Sequence, residues 1–284
     1  MVFSARTTPF DIHQEQLVGF DNSVRRCFEQ LSGLHPNDSQ WLQATLAMRM
    51  GGLGLRSLSK HSSAAYLSSR SCCVKLCQEL DPQHTWEGQD PSSAVHHAAQ
   101  CINEVSGSET IGLNPVPKDL KQRVLSSEID AGALRQLTDP QSMSLSFRAH
   151  MSLLGLEGAG TWLHAIPSEV LGTKIAPQLY VPMLQCRPRI PFFEEPFFCP
   201  LCDGVMDVWA DHALTCACGG DRTKRHNLVR NTFARLAASA GWQPELEKSG
   251  LLHPCPRQGG RSEDGSEGNE DGQWSAARRP ADVS

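Results

Sequence analysis

Four side chains of metal-binding type follow one another closely in the last third of the chain. Cys199 and Cys202 form a Cys-x2-Cys pair, and after a gap of nine residues His212 and Cys216 form a His-x3-Cys pair. Asp203-Gly204 supplies a turn directly after the first pair. A Cys-x2-Cys pair places two thiolates on one turn, and zinc prefers four nitrogen and sulfur ligands in a tetrahedral arrangement. The spacing therefore predicts a structural zinc site made of these two cysteine-containing pairs.

The ligand set has alternatives within the same segment. Cys218 lies two residues after Cys216 and could replace His212, which would give a four-cysteine site. His226 is a more distant candidate, on the helix that is expected to follow. The competing interpretation is that the cysteines are buried thiols and the histidine belongs to a core. Because the four favoured ligands fill the tetrahedron, no position is open for a catalytic water, and the site is expected to be structural.

The composition fits a soluble protein without a membrane span. Apolar residues make up 39% of the 284 residues and charged residues 20%, and no stretch approaches the roughly 20 apolar residues of a membrane helix. The N-terminal sequence lacks the charged start and apolar run of a secretory signal. We therefore expect an intracellular protein, nuclear or cytoplasmic. The net charge of −5 argues against a highly basic nucleic-acid-binding protein, although charge can segregate locally.

Helical periodicity and capping signals predict a mainly α-helical chain. His35-Pro36-Asn37-Asp38 offers cap residues for a helix that Gly51-Gly52 ends in a sharp turn with close backbone packing. Further helices are expected in three places, namely before Asp81-Pro82, around residues 94–105, and over residues 119–155 with a break at Asp139-Pro140.

Two later segments lack the signals of regular structure. Prolines recur too often between Pro177 and Phe198 for regular structure of any length. Residues 256–279 are of low complexity with almost no apolar content, so we expect disorder there. The expected organisation is a loose helical domain, then a small zinc-containing module of helix and loop, then a disordered C-terminal tail. Its segments are 1–118 (helices and connector), 119–198 (helical linker), 199–252 (zinc segment with its helix) and 253–284 (tail).

A basic helix is expected directly after the cysteine and histidine pairs. Asp221 is its expected N-cap, Gly241 follows its end, and Val229, Phe233 and Leu236 fall on one helical stripe. Arginines at the start of a helix suit phosphate, because side-chain charge adds to free backbone N–H groups there. The competing interpretation is an ordinary solvated face, since residues 199–235 carry five Lys or Arg against four Asp.

Several sequence runs together resemble the polyproteins of non-LTR retrotransposons. The run CPLCDGVMDVWADHALTCACGGDRTKRHN, residues 199–227, resembles their cysteine–histidine segment. In members with a restriction-like endonuclease, that segment lies between the reverse transcriptase and the nuclease. Other runs agree in order, namely GGLGLRS at 51–57 and AAYL at 64–67 (in or beyond the polymerase thumb), TWLHAIP at 161–167 (before the zinc segment), GWQPELEKSGLL at 241–252 (lead-in to the nuclease) and RPADV at 279–283 (first nuclease motif).

The resemblance implies a nucleic-acid-handling segment between two active sites that this chain lacks. The polymerase family needs paired palm aspartates to hold Mg²⁺, but no Asp-Asp dipeptide occurs here and residues 1–37 are too few for a palm. The nuclease motif offers Asp282, yet the chain ends two residues later, without the second acidic residue and the lysine that the family uses. We therefore expect a non-enzymatic remnant of a retroelement protein, in which Asp282 is a solvated residue of the tail.

The leading functional hypothesis is that the zinc-stabilised module binds RNA or DNA. Its candidate phosphate contacts are Arg222, Lys224, Arg225, His226 and Arg230. The second hypothesis is a zinc-organised protein-interaction module with unidentified partners, favoured by the acidic tail and the net charge of −5. An active nuclease or polymerase is a third hypothesis, and a genomic fossil without function is the fourth.

Overall fold

Helices dominate the structure. The computed structural model describes residues 2–107, 111–113 and 120–247, and these ranges contain ten α-helices and one two-stranded sheet. The mainly α-helical class expected from the sequence is thereby confirmed. The expected tail at 253–284, with Asp282, lies outside the described residues. None of the described helices is both long enough and apolar enough to cross a membrane.

The chain separates into two compact units, Met1–Glu195 and Pro196–Ser284. The helices of the first unit are α1 (Val2–Thr7), α2 (Gln14–Ser32), α3 (Asp38–Thr45), α4 (Leu58–Leu80), α5 (Ala94–Ser106), α6 (Gln122–Leu137), α7 (Leu145–Leu154) and α8 (Pro177–Cys186). α3 begins with a reciprocal cap, in which the Asn37 side chain accepts from the Gln40 N–H and the Gln40 side chain accepts from the Asn37 N–H, both at 2.9 Å. The cap residues that the sequence indicated therefore start this helix.

Helix α4 is the centre of the first unit. It packs against α1, α2, α5 and α6. One hydrophobic cluster joins Leu67 of α4, Ile102 of α5 and Ile129 of α6, all of them buried. The sequence placed a segment boundary at residue 118, whereas α6 shares its core with helices that come before that residue.

A buried arginine ties the glycine turn after α3 to later parts of the first unit. The Arg187 guanidinium donates to the carbonyl oxygens of Gly52 at 2.8 Å and Met48 at 2.6 Å. It also donates to the Ala159 carbonyl oxygen at 3.2 Å. Burial lowers the pKa of Arg187 below its ordinary value, and the three carbonyls replace the water that the guanidinium loses. The turn packs closely because a Cβ at Gly52 would lie 2.1 Å from the Leu46 carbonyl oxygen.

The expectation of irregular structure between Pro177 and Phe198 is wrong for the first part of that segment. Helix α8 forms there even though Pro182 lies inside it. Pro177 occupies the first helical turn, where a missing N–H costs little because those donors have no acceptor within the helix. Leu184 of α8 is buried in a hydrophobic cluster with Ala44 of α3. Tertiary packing thus stabilises a helix that the proline count disfavours.

The second unit is built from very short elements and one long helix. They are β1 (Phe197–Phe198), β2 (Val205–Met206), α9 (Asp211–Thr215) and α10 (Asp221–Ser239). The strands are antiparallel, with Phe197 opposite Met206 and Phe198 opposite Val205. Gly220, at φ 72°, is the N-cap of α10 in place of the expected Asp221, because glycine adopts this left-handed conformation without strain.

The substitution Gly132→Ala tests how closely α6 packs against α5. A Cβ at Gly132 would lie 2.1 Å from the Val105 carbonyl oxygen, so Gly132→Ala must push the helices apart. We expect this substitution to lower the free energy of unfolding by about 1–3 kcal/mol, the usual cost of overpacking. Helix propensity alone would raise the free energy of unfolding by about 1 kcal/mol. Chemical denaturation therefore distinguishes overpacking from helix propensity by the sign of the change.

Gly19 on α2 is the matched control, since a Cβ there would meet nothing within 4 Å. Gly19→Ala should therefore raise the free energy of unfolding by about 0.5–1 kcal/mol through helix propensity. Stabilisation by both substitutions would contradict the packing of α5 against α6.

Candidate metal centre

A short hairpin presents the first pair of thiols. Cys199 directly follows β1, and its backbone N–H donates to the Gly204 carbonyl oxygen at 2.8 Å. The four residues between these two groups reverse the chain, so Cys202 lies on the same turn as Cys199. The Cys-x2-Cys spacing therefore places two thiols on one turn, where both can bind the same metal ion, as the sequence predicted.

Backbone N–H groups point at both sulfurs of this pair. The Leu201 N–H donates to Cys199 Sγ at 3.5 Å, and the Gly204 N–H donates to Cys202 Sγ at 3.4 Å. The bond from Leu201 is the main reason that the pKa of the Cys199 thiol is lowered to about 7, while burial opposes it. At Cys202 the Gly204 N–H lowers the pKa, but burial and the neighbouring thiols outweigh it and raise the pKa. The Cys199 thiolate, the form that binds metal, is thus accessible near neutral pH.

A carboxylate positions the second pair. Asp207 Oδ1 accepts from the N–H groups of Trp209 at 2.9 Å and Asp211 at 3.1 Å. Its Oδ2 accepts from the His212 N–H at 2.9 Å. Burial acts to raise the pKa of Asp207, but these N–H donors outweigh it and lower the pKa below its ordinary value. Asp207 therefore caps α9, and the Cys216 N–H continues the turn by donating to the His212 carbonyl oxygen at 2.7 Å.

The four predicted ligands converge on one point. The ligand atoms of Cys199, Cys202, His212 and Cys216 all lie within 4.8 Å of one another. Cys202 Sγ is 3.2 Å from His212 Nε2 and 3.8 Å from Cys216 Sγ. A tetrahedral ion with bonds of about 2.3 Å to sulfur and about 2.0 Å to nitrogen separates its ligand atoms by roughly 3.5–3.8 Å. The cluster is therefore of a size that can hold a metal ion.

The two alternative ligands lie outside this group. Cys218 is exposed and begins the 3-10 turn Cys218–Gly220. His226 is exposed on α10. In the ranges that the structure describes, the group of three cysteines and one histidine is the candidate metal cluster of Cys, His, Asp or Glu side chains.

Sequence reasoning missed one residue that shapes the centre, Asp207, and the second of two roles of Gly204. A Cβ at Gly204 would lie 2.5 Å from His212 Cε1, so this glycine makes room for the imidazole and not only for the turn. Asp207 was not singled out, although an acidic residue shortly before a helix that carries a ligand is a recognisable capping signal. Both residues act on His212, the first ligand of the second pair.

All five candidate phosphate contacts lie on α10, which follows the centre after the Cys218–Gly220 turn. No residue of this helix is buried. Arg230 is half-buried, and the exposed members of the set are Arg222, Lys224, Arg225 and His226.

Comparison of the chain with family models, curated proteins and solved structures finds no match.

Replacing one ligand tests the composition of the centre. We expect one divalent metal ion per chain. Cys216→Ser should weaken its binding by about a hundredfold or more, because mutation of a residue that only supports a ligand already lowers metal affinity by about 10–100-fold. Cys218→Ser removes an exposed thiol two residues away and should leave stoichiometry and affinity unchanged. Competition with a chromogenic chelator under reducing conditions measures both. Equal weakening by the two variants would contradict the ligand set.

Removing the cap of α9 tests the role of Asp207. Asp207→Ala should weaken metal binding by about tenfold, because the His212 backbone loses the acceptor that holds it. Asp203→Ala makes the same change of charge beside the ligands but removes no bond to α9 and serves as the control. If both variants weaken binding equally, the carboxylate acts through its charge and not through its hydrogen bonds.

Proposed function

We propose that residues 196–247 form a zinc-stabilised module that binds RNA or DNA through α10. The observation that carries this proposal is that Arg222, Arg225 and His226 lie exposed on successive turns of one helix, immediately after the metal centre. Their spacing of three and four residues brings them to the same face. Such a face can neutralise neighbouring phosphates of one strand.

Zinc is the metal that best suits the centre. Three thiolates and one imidazole are soft and borderline ligands, and this combination is a common set for structural zinc sites. Four side chains complete a tetrahedron, so no coordination position is left for water or substrate. The proposed role of the ion is therefore to hold the hairpin and α9 together, without a catalytic step.

Local bonds leave different amounts of charge available along α10. Arg222 and His226 have no hydrogen-bonding or ionic partner within the described ranges, whereas Lys224 pairs with Asp221 at 2.9 Å. Arg225 donates to the Leu214 carbonyl oxygen of α9. Arg230 forms an ion pair with Glu247, so much of its charge is already compensated. Arg222 is consequently the strongest of the five candidate contacts.

The start of α10 adds a second source of positive potential. Its N-cap, Gly220, has no side chain to cap the first turn, and the Asp221 carboxylate in that turn pairs with Lys224. The helix dipole favours an anion at this end by about 0.3–1 kcal/mol. The exposed Arg222 and the helix dipole thus act in the same direction.

We extend the proposal to the origin of the module. The resemblance of residues 199–227 to the cysteine–histidine segment of retroelement polyproteins supports a retained nucleic-acid-handling piece without polymerase or nuclease activity. The support here is the sequence pattern together with a donor set that suits a structural ion.

A protein-binding role is the second candidate, favoured by the apolar part of the same helix. Val229, Phe233 and Leu236 continue the exposed face towards the C-terminus and are 56%, 68% and 60% exposed. Contiguous exposed apolar side chains of this kind are typical of interaction surfaces. A protein partner recovered after nuclease treatment and lost on Phe233→Ser would favour this candidate.

A salt series tests nucleic-acid binding. We expect the affinity for single-stranded RNA or DNA to fall steeply with salt, because phosphate contacts release counterions. Arg222→Gln should weaken binding several-fold and reduce the slope of log K against log salt by about 0.7, the value for one phosphate contact on a single strand. Fluorescence anisotropy at several salt concentrations measures the slope.

Arg235→Gln is the matched control, since Arg235 is exposed on another face of α10 and the substitution removes the same charge. Its slope should equal that of the unaltered protein. Binding that does not respond to salt, or an equal change of slope in both variants, would contradict the proposed role of Arg222 and its face of α10.

A further inference from the structure

The first unit contains an open cleft that is lined by four exposed arginines. Its volume is about 820 Å³, within the range of small-molecule sites. Arg6 comes from α1, Arg49 from the turn after α3, Arg56 from the segment before α4, and Arg123 from α6. Glu128 is the acidic residue among those that line it. Four separate elements therefore contribute positive charge to one cleft.

Three of these four guanidiniums form no ion pair with the residues that the structure describes. Arg56 pairs with the buried Asp130 at 2.6 Å. Arg49 donates to the neutral Ser127 hydroxyl at 2.6 Å, and Arg6 donates to the Gln122 side chain at 3.1 Å. Within the described part of the chain, no carboxylate pairs with either of these two arginines, and Arg123 bonds to none of its neighbours.

The start of α6 lines the same cleft. Gln122, Arg123 and Val124 form its first turn, and the N-cap residue Lys121 makes no side-chain hydrogen bond to that turn. The N–H groups of Gln122 and Arg123 therefore have no intrahelical acceptor, and the dipole of this 16-residue helix favours an anion there. Arginine forks and free N–H groups are the two kinds of donor that phosphate oxygens accept from most readily.

We propose that this cleft binds the phosphate groups of a small polyphosphate compound. Its volume is sufficient for several linked phosphates, and three of the guanidiniums that line it form no ion pair among the described residues. Among the described residues, no aromatic side chain lines the cleft. The lining residues can therefore bind phosphate groups but offer no ring on which a base could stack. The proposal uses residues of the first unit only and does not depend on the function proposed for the zinc module.

Binding of sodium tripolyphosphate to the full chain tests the proposal. Isothermal titration calorimetry should give a saturable site. The double variant Arg49→Gln/Arg123→Gln should weaken binding by about tenfold or more, because it removes two charge-assisted donors to phosphate. Glu128→Gln should strengthen it, because the substitution removes a negative charge from the wall. The double variant Arg26→Gln/Lys75→Gln, which removes two exposed charges elsewhere on the first unit, should bind as the unaltered protein does.

A single-stranded DNA oligonucleotide, titrated in parallel, identifies the source of the phosphate. If only tripolyphosphate binding is lost in the cleft variant, the ligand is a small polyphosphate. Loss of both supports phosphate binding by the cleft but assigns the groups to a nucleic-acid backbone. Absence of tripolyphosphate binding, or equal affinity in the cleft and control variants with unchanged circular dichroism, overturns the proposal.

Discussion

Three sulfurs and one imidazole nitrogen converge in the second unit, where the described residues form almost no hydrophobic core. Among its described residues only Cys199 and Met206 are buried, while α10 buries none. Strands of two residues and a five-residue α9 are too short to be stable alone. A metal ion bound by these ligands would supply folding free energy directly, and the position of α10 would depend on it.

The features that the sequence revealed are local ones. The spacing of two Cys- and His-containing pairs, the Asn37 cap and the glycine turn each depend on residues a few positions apart, so a pattern can identify them. The features that it did not reveal depend on distant partners. The Arg187 guanidinium donates to the carbonyl oxygens of Met48 and Gly52. Helix α8 is stabilised because Leu184 packs in a buried hydrophobic cluster. Nothing in the neighbourhood of these residues encodes those contacts.

Overall charge was a poor guide for the same reason. A net charge of −5 suggests little affinity for anions, yet folding brings Arg6, Arg49 and Arg123 to one cleft from positions far apart in the chain. Electrostatic potential depends on this segregation and on the shape of the surface, because a concave wall focuses the field of the charges that line it. Glu128 lines the cleft and Asp130 pairs with Arg56, but no other acidic residue of the described chain is among its lining residues.

The exposed face of α10 carries both cationic and apolar side chains, and a duplex, a protein and a single strand would contact them differently. A duplex would use the cationic first turns, at Arg222 and Arg225, and would leave Phe233 in water. A protein partner would cover Phe233 and Leu236 but would have to desolvate or pair the arginines beside them. A single strand would contact both kinds of side chain, because its phosphates contact guanidiniums while its unstacked bases lie against an aromatic ring. If α10 binds nucleic acid as proposed, the continuity of the two surfaces on one helix favours a single strand over a duplex.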